Sequence, residues 1–185
     1  NVTYAQLREE VAKFRTYFYQ IGIRSGDNVG LFSRNSVEYV CSYMAIASLG
    51  AVVVPFNFQL TAREIAYIVK DAGMKHIVTA DSLDIAEELD KYGCRQGVGQ
   101  ILISDIKRQI SQMVELAPSF DDQMQEDQPC VIIYTSGTTG NPKGAVLSHK
   151  NLVCNARDLQ QLLSISAQDT VLCVLPMYHC FAWTC

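Results

Sequence analysis

The stretch Val131-Ile132-Ile133-Tyr134-Thr135-Ser136-Gly137-Thr138-Thr139-Gly140-Asn141-Pro142-Lys143-Gly144-Ala145-Val146-Leu147-Ser148 decides how this chain is read. A β-branched apolar run leads into a segment of Ser, Gly, Thr, Pro and Lys, and a second apolar run follows at once, so the pattern is strand, tight loop, strand. Gly137, Gly140 and Gly144 carry no Cβ, and the backbone there is expected to take φ > 0 and bring its N–H groups against a ligand. Successive N–H groups in such a turn form a concave anion site. Ser136, Thr138 and Thr139 add hydroxyls that donate to phosphate oxygens, and Lys143 adds a mobile positive charge. Pro142 stiffens the turn before the lysine. The same composition suits a plain solvated loop. Three glycines, four hydroxyls counting Thr135, and one lysine within ten residues after a buried strand favour phosphate.

Two common phosphate loops do not fit. A Walker loop needs Gly directly before Lys-Ser/Thr, whereas Pro142 precedes Lys143 and Gly144 follows it. A dinucleotide fingerprint needs Gly-x-Gly-x-x-Gly opening a helix, and the spacing here is Gly-x-x-Gly-x-x-x-Gly between strands. The eleven residues Tyr134 to Gly144 resemble, without a mismatch, the signature loop of the adenylate-forming superfamily of acyl-CoA synthetases, luciferases and peptide-synthetase adenylation domains.

Composition sets the bounds. A chain of 185 residues buries about two thirds of its unfolded surface as one domain or two small ones, and an apolar fraction of 49% supports a real core. The net charge of −4 is spread thinly, with no basic stripe, so nucleic acid is not an expected partner. The longest uncharged stretch, Tyr39 to Ala62, is broken by Gly50, Pro55, Asn57 and Gln59; it reads as a buried helix running into a strand, not a membrane span. No signal-like segment opens the chain. The seven cysteines show no C-x-x-C spacing and sit mostly in apolar runs, as expected for buried, reduced thiols in a cytoplasmic protein.

Along the chain, Thr3 with Gln6 forms a capping box for a helix over 3–21, with Leu7, Val11, Phe14, Phe18 and Ile21 on one face. A strand over 28–33 follows, then a helix capped by Asn35 or Ser36 and ended by Gly50, then the strand 51–55. Thr61 and Glu64 cap a third helix, the strand 76–79 follows, and a helix over 84–92 leads to the strand 101–103. Strands alternating with helices predict an α/β fold whose parallel sheet is covered on both faces. The strands around the phosphate loop are expected in part of a second sheet, followed by a helix over 149–163 capped by Ser148 and a strand over 171–175. The expected division is an α/β unit over 1–115, a polar linker over 116–129, and an incomplete phosphate-loop unit over 130–185. His76 and His149 read as structural, and Glu87-Glu88 and Asp121-Asp122 as solvated faces.

The resemblance extends over nearly the whole chain. Thr3-Tyr4-Ala5-Gln6-Leu7 looks like the Thr-Tyr-x-x-Leu opening of the superfamily, and Leu49 to Pro55 with Leu60-Thr61 and Glu64-Ile65 is similar to its acyl-CoA synthetase branch. Leu175-Pro176-Met177-Tyr178-His179-Cys180-Phe181-Ala182 resembles the motif at the mouth of the acyl pocket, with Met177, Tyr178 and Ala182 replacing the commoner Leu, Phe and Gly. Ala182 adds a methyl that bears on the pocket's width. The resemblance implies two half-reactions: a carboxylate attacks ATP to give acyl-adenylate and pyrophosphate, and a thiol, usually coenzyme A, displaces AMP. It assigns Thr135, Ser136, Gly137, Thr138, Thr139, Gly140 and Lys143 to the phosphates, with Mg²⁺ sharing the charge, and His179 to the carboxylate site; no residue is assigned as a metal ligand. The carboxylic acid is expected to be fatty or aryl. Enzymes of this kind carry an adenine-binding segment, a hinge and a small domain with a catalytic lysine C-terminal to the histidine motif, and none occurs in this sequence. The expectation is therefore an N-terminal part that is inactive alone. Alternatives are an adenylation domain that loads a carrier protein, or a non-catalytic nucleotide-binding module.

Overall fold

The computed structural model describes residues 1–113, 116, 124–135 and 141–179. Their elements run α1 (Tyr4–Gln20), β1 (Asn28–Phe32), α2 (Val37–Ser48), β2 (Val52–Pro55), α3 (Ala62–Asp71), β3 (His76–Thr79), α4 (Ala86–Lys91), β4 (Gly99–Leu102), α5 (Ile103–Ile110), β5 (Pro129–Thr135), β6 (Lys143–Ser148) and α6 (His149–Leu163). Four of the described helices, α1, α2, α3 and α6, start after a side chain that satisfies one of the first free N–H groups. Reciprocal capping boxes begin α1 (Thr3 and Gln6), α3 (Thr61 and Glu64) and α6 (Ser148 and Asn151). Ser36, not Asn35, caps α2 by accepting from the Tyr39 N–H at 3.0 Å.

All six strands lie in one sheet, in the order β4-β3-β1-β2-β5-β6. The first five are parallel and β6 is antiparallel to β5. The expected second sheet for the phosphate-loop strands is thus corrected: β5 joins β2 through the Val53–Val131 pair, where both side chains are buried in the same core. Joining the edge of β2 hides those apolar side chains without needing another layer.

Alternation along the strands sends side chains to two cores. Val29, Leu31, Val53 and Val78 pack against α1, α2 and α5, through Phe14, Phe18, Tyr39, Ile46 and Ile106. Val54 and Ile77 face α3 and α4, through Ile65, Ile68 and Leu89. The sheet is therefore covered on both faces, as the alternating pattern predicted.

Three further expectations change. The short helix α5 was not foreseen; Leu102 at its start offers no side-chain cap, yet Ile103, Ile106 and Ile110 form a buried stripe. The run 171–175 forms no strand, since no described strand pairs with it, and Leu172 is 83% exposed. Of the five described cysteines, Cys41 and Cys130 are buried, Cys94 is half-buried, and Cys154 and Cys173 are exposed. Burial pushes the Cys41 and Cys130 thiols up to about 11, so they stay protonated. Half of the polar segment 116–129, residues 117–123, lies outside the described residues. No described helix is long and apolar enough to cross a membrane.

Candidate functional site

The antiparallel ladder of β5 and β6 brings Thr135 opposite Lys143, so the two ends of the loop expected to bind phosphate face each other. Ser136, Gly137, Thr138, Thr139 and Gly140 lie outside the described residues. Gly144 is described, and it does not take positive φ. Its bare backbone has another cause. A Cβ there would sit 2.7 Å from Ile132 Cγ2 and 3.0 Å from the Tyr134 ring, so the missing side chain makes room for the cross-strand tyrosine.

Tyr134 in turn is fixed from the other side. Its hydroxyl donates to Asp71 Oδ2 at 2.6 Å, tying β5 to the last residue of α3. Burial, reinforced by the Asp71 carboxylate, holds the phenol well above its ordinary value, so it remains a donor.

Beside this hairpin a cleft of about 300 Å³ opens at the carboxyl ends of β2 and β5. This is where open α/β sheets bind ligands. Pro55, Asn57 and Leu60 form one wall with Glu64 and Ile68 of α3; Ile133, Tyr134 and Thr135 of β5, with Pro142, form another; Tyr178 and His179 close the third. Thr135 and His179, far apart in sequence, thus line one space. Lys143 is exposed, does not line the cleft, and makes no ion pair among the described residues.

Glu64 is the one carboxylate among the described residues of the wall, and it is engaged in capping. Its Oε2 accepts from the Thr61 N–H and hydroxyl, both at 2.8 Å, and the backbone bond first of all keeps the carboxyl below its usual range. It is ionised and held as a helix cap, which removes it from proton-transfer work. His76 starts β3 and His149 starts α6, away from the cleft; burial lowers both imidazoles. Glu88 pairs with Lys91 on a helix surface, while Asp121-Asp122 lies outside the described residues. Among the described residues no group of three or more His, Cys, Asp or Glu side chains is placed to hold a metal ion.

The parallel sheet with an antiparallel hairpin at its edge agrees with what comparison with known proteins finds. The family model described as "AMP-binding enzyme" matches residues 1–185. The chain belongs to the AMP-binding enzyme family.

Among relatives of this chain, the long-chain-fatty-acid–CoA ligase FadD13 of Mycobacterium tuberculosis is 32% identical over 192 residues, covering 99% of this chain and 37% of the relative. The 2-succinylbenzoate–CoA ligase of Enterococcus faecalis is 30% identical over 178 residues, covering 96% and 34%. In structure, the inhibitor-bound N-terminal domain of FACL13 from Mycobacterium tuberculosis matches with a TM-score of 0.84 at 30% identity, over 98% of this chain and 46% of that one. The o-succinylbenzoate CoA synthetase of Bacillus subtilis, in complex with its acyl-adenylate intermediate, matches with a TM-score of 0.83 at 26% identity, over 99% and 46%. The chain spans a little over a third of the length of the curated relatives it matches.

Sequence reasoning missed several residues that line this cleft. Asn57 and Leu60 reach the wall because β2 ends at Pro55 and the chain turns there, the Gln59 N–H donating to Asn57 Oδ1 at 2.9 Å. The Pro55-Phe56-Asn57 turn after a buried strand was the available signal. Tyr134 was read only as part of the loop motif, and nothing in the local pattern pointed to Asp71. Cys180, Phe181 and Ala182, the rest of the histidine motif, lie outside the described residues.

Proposed function

We propose that this chain is the N-terminal part of an ATP-dependent acyl-CoA synthetase whose acid is fatty or aryl. A carboxylate oxygen bonds to the α-phosphorus of ATP as the bond to pyrophosphate breaks; the sulfur of coenzyme A then bonds to the acyl carbon and AMP leaves. The observation that carries the reading is the shared cleft, which sets His179 across from Thr135 and Pro142 at the mouth of the hairpin. The ligase names of the relatives support the choice of acid and thiol.

In this reading Thr135, Ser136, Gly137, Thr138, Thr139 and Gly140 give hydroxyl and N–H donors to the departing pyrophosphate. Lys143, exposed and without an ion pair among the described residues, swings onto the same charge as it develops. His179 lines the carboxylate position. Mg²⁺ supplies charge neutralisation when bound, chiefly through the phosphate oxygens, as suits a cation that keeps few protein ligands. Because the chain covers little over a third of its relatives, the activity is proposed for a longer protein.

The test is carboxylate-dependent ATP–pyrophosphate exchange by that longer protein. Lys143→Ala is expected to lower the rate by about tenfold to a thousandfold, the range for groups that stabilise developing charge. An unchanged rate would remove the hairpin from the chemistry. Exchange by the 185-residue chain alone would overturn the expectation that groups outside it are required.

A further inference from the structure

The motif that carries His179 has no strand or helix of its own to hold it, since residues 171–179 form neither. What holds it is the loop between β1 and α2. Asn35 Nδ2 donates to the Leu175 carbonyl at 2.7 Å, and the Met177 N–H donates to Asn35 Oδ1 at 2.7 Å. One side-chain amide therefore bridges the main chain on both sides of Pro176, across 140 residues of sequence. The Tyr39 hydroxyl, on the first turn of α2, donates to the Met177 carbonyl at 3.2 Å. Beyond the clamp the chain turns tightly, with the His179 N–H donating to the Pro176 carbonyl at 3.0 Å. The Tyr178 ring then stands edge-on to Phe58, 5.0 Å between centroids and 90° between planes, and the Arg34 guanidinium lies 5.6 Å over the Phe58 ring.

We propose that Asn35 is a positioning residue that sets Tyr178 and His179 at the wall of the cleft by clamping the backbone around Pro176. The logic is geometric. Asn presents a donor and an acceptor side by side, matching the carbonyl and N–H that a proline leaves on its two flanks. Ser36 already caps α2, so Asn35 is not needed for that task. Its position one residue before the cap places its amide against Leu175 and Met177, directly before the cleft-lining Tyr178 and His179. Loss of the amide frees the base of the turn, and His179 moves with it. The consequence for catalysis rests on the reading of the cleft as the carboxylate site; the clamp itself does not.

The test has two arms. The first uses the 185-residue chain, whose three histidines report separately by NMR. Asn35→Ala is expected to shift the imidazole resonances of His179 and speed exchange of the Met177 amide by about tenfold or more, while His76 and His149 stay in place. Asn35→Asp keeps the acceptor for Met177 and sets a carboxylate against the Leu175 carbonyl, so it is expected to recover amide protection only in part. Unmoved His179 resonances and an unchanged Met177 amide would overturn the clamp, and so would equal shifts at all three histidines, which would mark general unfolding. The second arm measures exchange kinetics of the longer protein: KM for the carboxylate is expected to rise on the order of tenfold to a hundredfold in Asn35→Ala, with KM for ATP unchanged. If His179 moves and the carboxylate KM does not, the clamp stands and the reading of the cleft falls.

Discussion

The two ends of this chain use their apolar residues differently. From α1 to α5 each strand and helix finds partners within the region, and Phe14, Phe18, Tyr39, Ile46 and Ile106 are almost wholly enclosed. From β6 onward the same kinds of residue stand open: α6 has no fully buried side chain, Leu162 is 79% exposed, and 171–175 runs uncovered. Among the described residues of this second region, only Leu147, Leu152 and Met177 pack against the core. The contrast teaches that the first region contains its own reasons for folding, whereas the second is held by its seams with what precedes it: the ladder to β5, itself tied to α3 by the Tyr134–Asp71 bond, and the Asn35 clamp.

The largest effect that could break this contrast comes from trimming one side chain in each region. Phe18→Ala removes an aromatic ring that packs edge-on with Phe14 and Tyr17, and is expected to cost about 3–5 kcal/mol in urea unfolding. Leu162→Ala on α6 is expected to stay within about 0.5 kcal/mol. Comparable costs at the two sites would show that α6 is as integral as α1.

A finer comparison uses two glycines with similar crowding. An added Cβ would lie 2.7 Å from the Phe56 ring at Gly30 and 2.7 Å from Ile132 at Gly144. Gly30 lies in β1 inside a closed core, whereas Gly144 lies on exposed β6, where the neighbours have room to give. Gly30→Ala is therefore expected to cost about 1–3 kcal/mol, the usual range for overpacking, and Gly144→Ala less. Gly144→Ala should nonetheless disturb Tyr134, seen as a loss of its hydroxyl bond to Asp71 in NMR. A larger stability loss at Gly144 would reverse the ranking of the two regions.

How far this was legible in sequence follows the same line. Thr3 with Gln6 and Thr61 with Glu64 announced their helices because capping is local chemistry, written within four residues. Ser148 did the same for α6. The helix α5 escaped because Leu102 gives no such signal, and its isoleucines continue those of the preceding strand. The run 171–175 has strand composition, but a strand is made by its neighbour, and composition says nothing of neighbours. For the same reason the partner of β5 was misplaced: the pairing of Val131 with Val53 spans 78 positions that no periodic pattern encodes. At the cleft, Thr135 and His179 were legible as candidate residues, while Asn57, Asp71 and Asn35 enter through contacts made only on folding.

The smallest expected effect is on pH. Burial, the first cause in each, holds the imidazoles of His76 in the first region and His149 in the second below their ordinary value. Below about 6.5 the unfolded chain takes up protons that the folded chain refuses, so stability is full above that pH and declines as pH falls through it. The melting temperature is expected to be lower at pH 5.5 than at 7.5, and His149→Gln should shrink the difference, since His149 Nε2 is buried with no hydrogen-bond partner among the described residues. An undiminished difference would assign the whole effect to the first region.

The joint between β2 and β5 has a mechanical consequence. β6 is laced to β5 at six positions, yet β5 meets β2 at a single paired position. Any tilt of the hairpin about that joint carries Thr135 and Lys143 together as one paddle, preserving the gap between them while changing its distance from the histidine wall. The spacing of the two strand ends and their distance from His179 are thus set by separate parts of the chain.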